Sequence, residues 1–140
     1  MITTDPESPA MSSMHRTISG DVLVQHLTED AMLIDRGLVE QHGRSARTLV
    51  KEGPIRVTMI ALDANGTLPA HSTAGPISVQ LLEGDITFTA AGQEYPLQMR
   101  DLLVISANVE HSAKSAKGGA FLLTVVHPAS ADVGAATSGA

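Results

Sequence analysis

The residues of this chain best suited to chemistry at a defined spacing are its histidines. There are six histidines and no cysteine among 140 residues, which removes disulfides and thiolate nucleophiles and leaves the redox compartment open. Two histidines stand in organised surroundings. His71 closes the segment Gly66-Thr67-Leu68-Pro69-Ala70-His71, and His111 closes Ser106-Ala107-Asn108-Val109-Glu110-His111. An imidazole can ligate a metal or carry a proton near neutral pH. A divalent first-row ion wants three or four nitrogen or oxygen donors in a set geometry, so two imidazoles alone hold it weakly. His127, Gln80 or a water can add a donor, but nothing in the spacing compels any of them. Proton abstraction by histidine needs a partner, typically a carboxylate on the second ring nitrogen. The nearby acids Glu83, Asp85 and Asp101 fall at turns, where solvated corner roles are commonest. The plainer alternative is a pair of neutral, hydrogen-bonded histidines in a partly buried polar pocket.

Other candidates are weaker. His15 lies beside an N-terminal leader, His26 and His42 lie in a helical part, and His127 stands before Pro128, which ends its strand; all read as surface positions. Met99 reads as core filling and Gln80 as a solvent-facing strand residue, with contact to a ligand the sharper alternative for each. Arg44 and Arg47 read as solvated or interface positions, with an anion clamp as the alternative.

The elements that must position His71 and His111 are short and β-like. Runs of β type span Arg47 to Lys51, Ile55 to Leu62, Thr67 to His71, Ile77 to Leu82, Asp85 to Ala90, Glu94 to Gln98, Leu102 to Ile105, His111 to Ser115 and Ala120 to Val126. Turn residues separate them, among them Gly53-Pro54, Asn65-Gly66, Gly75-Pro76, Gly84, Ala91-Gly92 and Gly118-Gly119. Many short strands with tight turns give an all-β sandwich or barrel. Before them, from Ser19 to Gln41, the apolar residues partly fit a helical period. Ser19 and Asp21, then Thr28 and Asp30, are candidate caps, with Gly37 and Gly43 interrupting, which predicts one or two short helices. Residues 1–14 read as a disordered leader, 15–128 as a single domain and 129–140 as a flexible Ala/Ser/Gly tail.

Composition narrows the function classes. A chain of 140 residues holds one core and buries about two thirds of its unfolded surface. The formal charge is −6 with no basic run, which argues against nucleic acid or an anionic membrane as partner. With two Phe, one Tyr and no Trp, any pocket is expected to be walled by Val, Leu, Ile and Met rather than by rings. No secretory signal or apolar run of ~20 residues is present, so a cytoplasmic protein is expected.

The spacing of several features resembles the two-part signature of small, single-domain RmlC-like cupins over about residues 54 to 127. These are Gly66 with His71, Leu82-Glu83-Gly84-Asp85, Arg100-Asp101, the turn running from Ser106 to His111, and the closing run Phe121-Leu122-Leu123-Thr124-Val125-Val126. The resemblance implies a double-stranded β-helix, the jelly-roll barrel of cupins, with a short helical N-terminal extension. It places His71, Thr73, Ile77 and His111 at the barrel mouth, with Val79 on the same strand face as Ile77; these five form the expected ligand pocket. Alternation is expected to put His71 and Thr73 on one face as well.

The family's usual metal set is two histidines and a glutamate in the first part and one histidine in the second. In this chain Thr73 replaces the second histidine and Ile77 the glutamate, while Arg100 replaces a glycine and Ser106 a proline. His71 and His111 are the ligands this leaves for a divalent metal (Zn, Fe, Mn or Ni), and the sequence requires none. A homodimer with a crossing N-terminal strand is also implied. Four readings follow: a small-molecule binding or sensing module, a metal-dependent enzyme of dioxygenase or isomerase type, a metal-free isomerase with a histidine base, and a structural barrel without ligand.

Overall fold

The computed structural model describes residues 20–27 and 34–128. The expected leader (1–14) and tail (129–140), His15, and the candidate caps Ser19, Thr28 and Asp30 lie outside these described residues. Residues 20–27 contain no helix. One helix, α1 (Arg36–His42), is present among the described residues. Its N-cap is Asp35, whose carboxylate accepts the Leu38 N–H at 3.1 Å. Gly37 is accommodated inside the helix, and Gly43, at φ 82°, ends it. The short helix buries Val39.

Nine strands follow: β1 (Arg44–Glu52), β2 (Ile55–Leu62), β3 (Thr67–His71), β4 (Ile77–Gly84), β5 (Ile86–Ala90), β6 (Gln93–Leu97), β7 (Leu102–Ile105), β8 (His111–Lys114) and β9 (Gly119–Val126). They form two antiparallel sheets, in the order β1-β2-β9-β4-β7 and β3-β8-β5-β6. Consecutive strands repeatedly belong to different sheets, which is the wrapping of a jelly roll, and the expected all-β architecture is present.

Strand alternation decides which residues fill the space between the sheets. Ile77, Val79 and Leu81 of β4 point inward and are almost wholly buried, as are Ile86 and Phe88 of β5 and Phe121 of β9. Phe88 and Phe121 meet across the gap edge to face, with centroids 5.4 Å apart, the geometry aromatic quadrupoles favour. The outer face of the five-stranded sheet carries a second cluster, in which Met59, Ala61 and Ala120 pack with Leu49, Val39 and Ile34. The last turn of β2 therefore reads as an unbroken apolar run, Met59-Ile60-Ala61-Leu62, because both of its faces are covered. Among the described residues no helix is long and apolar enough to cross a membrane.

Candidate functional site

His71 and His111 are direct cross-strand partners on β3 and β8. The pairing depends on an irregularity. Leu68 lies opposite Ala113 and His71 opposite His111, so three steps along β3 match two along β8. In a regular strand residues 68 and 71 would face opposite sides. A bulge at Pro69-Ala70 absorbs the extra residue and turns the His71 ring to the side that Leu68 occupies. Pro69 suits that place because it has no N–H to leave unpaired in the ladder. The ring centroids of His71 and His111 lie 4.5 Å apart with planes at 62°.

Behind the pair is an apolar cavity of about 150 Å³ between the sheets. Among the described residues its lining is mostly apolar, with Ile60, Ile77, Phe88, Phe121, Leu123 and Val125, and it also carries Thr73, His111, Ser112 and, at its exposed side, His71. Both phenylalanines of the chain stand in the wall, and no methionine does. The expected aliphatic lining is thus corrected: a low aromatic count says nothing about where the few rings are concentrated. Among the described residues no Asp, Glu, Lys or Arg lines the cavity.

The hydrogen bonds fix the state of each polar group. His71 Nδ1 lies 3.2 Å from the Pro69 carbonyl and His111 Nδ1 2.9 Å from the Val109 carbonyl. A carbonyl only accepts, so both Nδ1 atoms carry the proton, and in the neutral ring both Nε2 atoms hold a lone pair. His111 is only 5% exposed, while His71 is exposed. The Thr73 hydroxyl donates to the Gly75 carbonyl at 2.8 Å, which keeps only its lone pairs for anything in the cavity. Gly75 closes this turn against the end of β9, where a Cβ would overlap the Val126 carbonyl oxygen.

Four of the five expected pocket residues, His71, Thr73, Ile77 and His111, thus line one cavity. Thr73 arrives there by a different route from the one expected. β3 ends at His71, so a turn rather than strand alternation carries the Thr73 side chain to the opening. Val79 is the exception: it is fully buried in the core and does not line the cavity. Neither Gln80 nor His127 lines it either. The Gln80 amide reaches the Arg100 carbonyl at 3.5 Å, and Met99 is exposed rather than core filling. Two imidazoles bring two donors, and among the described residues no cluster of three or more His, Cys, Asp or Glu could hold an ion. The donor set falls short of a resident-metal site.

One polar centre was not foreseen. Asp85, expected as a solvated corner, accepts the Lys117 N–H at 2.9 Å and the Ala116 N–H at 3.1 Å. The buried Ser115 hydroxyl approaches its carbonyl at 2.6 Å and its carboxylate at 3.2 Å. The Lys117 N–H is the main force holding the Asp85 carboxyl below its ordinary pKa; partial burial opposes it, and the Ala116 N–H, the Ser115 hydroxyl and the Lys117 charge add to it. The partners lie some thirty residues along the chain, beyond the reach of any local sequence signal.

Comparison with known proteins fits this geometry. No family model matches the sequence, and no curated protein is significantly similar to it. Solved structures do match. An RmlC-like cupin from Shewanella frigidimarina superposes with a TM-score of 0.59 at 21% identity, covering 64% of this chain and 80% of that one. The fold is that of a small cupin domain. A conserved protein of unknown function from Streptococcus pyogenes gives a TM-score of 0.64 at 25% identity, over 82% of this chain and 94% of its own. The salicylate 1,2-dioxygenase of Pseudoaminobacter salicylatoxidans gives 0.65 at 17% identity, over 74% of this cupin domain but 32% of the enzyme. At these identities the likeness is one of fold.

Proposed function

We propose that this cupin domain is a small-molecule binding or sensing module whose ligand enters the cavity behind His71 and His111. The observation that carries the reading is the cavity itself: about 150 Å³, lined among the described residues mostly by apolar side chains, with only His71, Thr73, His111 and Ser112 as polar members. Ligand sites are typically built this way, with an apolar body that supplies affinity and a few polar anchors that supply orientation. A purely structural barrel is disfavoured, because side chains meant only to close it would fill this space. The test is saturable stabilisation of the protein by a ring-sized probe, and its loss in Ala113→Leu, which places a larger side chain in the cavity wall. A parent protein that no such probe stabilises contradicts the reading.

One observation supports a metal-dependent enzyme as the second reading. The two rings are paired across neighbouring strands with both Nε2 lone pairs uncommitted. Elemental analysis of untagged protein separates the two. Stoichiometric metal in the parent, lost in both His71→Ala and His111→Ala, would favour the enzyme.

The module is proposed to act as a homodimer. Leu102 and Val104 on the edge strand β7 are each 64% exposed, and an open, apolar edge needs covering. A monomeric mass in gel filtration contradicts this part alone.

A further inference from the structure

We infer that the cavity selects an uncharged, ring-sized molecule that donates a hydrogen bond, the class to which phenol belongs, over hydrocarbons and over carboxylates of the same size. The inference rests on the binding function proposed above and adds the chemistry of the ligand.

Size comes first. An apolar cavity of about 150 Å³ is the volume that accommodates one benzene-sized molecule. The wall suits a ring: Phe88 and Phe121 already stand edge to face at 5.4 Å, and Ile60, Ile77 and Leu123 complete an apolar surround.

Charge comes second. With no Asp, Glu, Lys or Arg among the described residues of the lining, a buried carboxylate or ammonium would have no countercharge there, and an unpaired buried charge is strongly disfavoured.

Polarity then sets the direction of the hydrogen bond. The protons at the opening are already committed: His71 Nδ1–H to the Pro69 carbonyl, His111 Nδ1–H to the Val109 carbonyl, and the Thr73 hydroxyl to the Gly75 carbonyl. Ser112 also borders the cavity, but it sits between the inward-facing His111 and Ala113 on β8, so alternation turns its hydroxyl to the other face of that sheet. The opening therefore offers lone pairs and lacks donors. His111 Nε2 matters most. Its residue is 95% buried, the complement of its 5% exposure, and Nε2 meets no protein hydrogen-bond partner among the described residues. A buried acceptor left unmet is costly, and a ligand hydroxyl meets it where a hydrocarbon or a carboxylate cannot. This separates the cupin from a site built for aromatic acids.

The experiment compares three probes of one ring size, toluene, phenol and benzoate. They are titrated into chelator-treated full-length protein at mildly alkaline pH, where imidazole is neutral, and followed by calorimetry and by the nitrogen shift of His111 Nε2. Phenol is expected to bind about tenfold more tightly than toluene, the worth of one hydrogen bond to a buried acceptor. Benzoate is expected to bind more weakly than either, and the Nε2 resonance to move with phenol but not with toluene. In His111→Phe the advantage of phenol over toluene should vanish while toluene still binds. Should that variant not fold, the Nε2 shift in the parent decides alone. Equal binding of toluene and phenol, or tightest binding of benzoate, overturns the ligand class and leaves the binding function standing. If no probe binds, it is the binding function that fails.

Discussion

Two polar centres interrupt this otherwise apolar sandwich, and they are built in opposite ways. At the β4–β5 corner, Asp85 is met from three sides, by the N–H groups of Ala116 and Lys117 and the hydroxyl of Ser115, and the same hydroxyl accepts the Gly118 N–H at 2.8 Å. At the barrel mouth, His71 and His111 each make one hydrogen bond among the described residues, to a carbonyl two residues back, and the second ring nitrogen of each meets no described protein partner. A buried polar group that finds all its partners inside the protein is structural, and one that does not is waiting for a partner from outside. The corner holds two loops together; the mouth presents the His111 Nε2 lone pair to the cavity.

The sharpest way to break this contrast is at Gly84, which sits at φ 74° with its backbone against Gly118 and Gly119. Gly84→Ala combines a disfavoured conformation with overlap on backbone atoms, and it is expected to cost about 3 kcal/mol in denaturant unfolding. A mild loss would show that the corner is looser than its hydrogen bonds imply. Asp85→Ala should cost roughly 2 kcal/mol in the same assay, because it removes the charged acceptor of two N–H groups, while the Ser115 hydroxyl keeps the backbone carbonyl of residue 85.

The corner also predicts an acid limb. The Asp85 carboxyl is held below its ordinary value, so the unfolded chain takes up this proton first. The stabilisation is complete above the usual aspartate pKa of about 3.9 and is lost as pH falls through the lower folded value. Asp85→Asn should flatten that part of the stability–pH curve. An unchanged acid limb would mean that other carboxylates carry it.

The mouth should behave differently. His111→Phe removes an unsatisfied acceptor and keeps a ring of similar size, so its stability should change by less than about 1 kcal/mol in either direction, while discrimination among ligands is lost. A large destabilisation would make His111 a structural residue like Asp85.

The smallest effect is expected at Arg100, which occupies the left-handed region at φ 76° although its N–H and carbonyl are both engaged with β4. Arg100→Gly should gain roughly 0.5 kcal/mol, since relief of strain slightly exceeds the entropy that glycine costs in the unfolded state. The resemblance to cupins implies a glycine where this chain has Arg100, and the left-handed backbone angle gives a physical reason for one.

Much of the architecture was legible in the chain. β2, β3 and β7 begin and end where alternation and turn residues place them, and the other strands shift by one to three residues at an end. The helical part was less legible. The expected caps Ser19, Thr28 and Asp30 lie outside the described residues, and the helix that Asp35 starts is held by burial of Val39 against the outer cluster. The candidate site was half legible: that His71, Thr73, Ile77 and His111 lie around one cavity was expected, but not the phenylalanine wall or the place of Thr73 in a turn. Val79 was misassigned because sharing a strand face with Ile77 does not mean sharing its depth.

By itself the sequence determined the strands, their turns and the faces their side chains take, because those follow from a two-residue period and from local backbone preferences. The tertiary structure alone decided that a bulge at Pro69-Ala70 brings His71 opposite His111, that both phenylalanines close one cavity, and that Asp85 is caged from thirty residues away. Register, enclosure and hydrogen-bond completion arise between strands distant in sequence, where no local pattern carries the information.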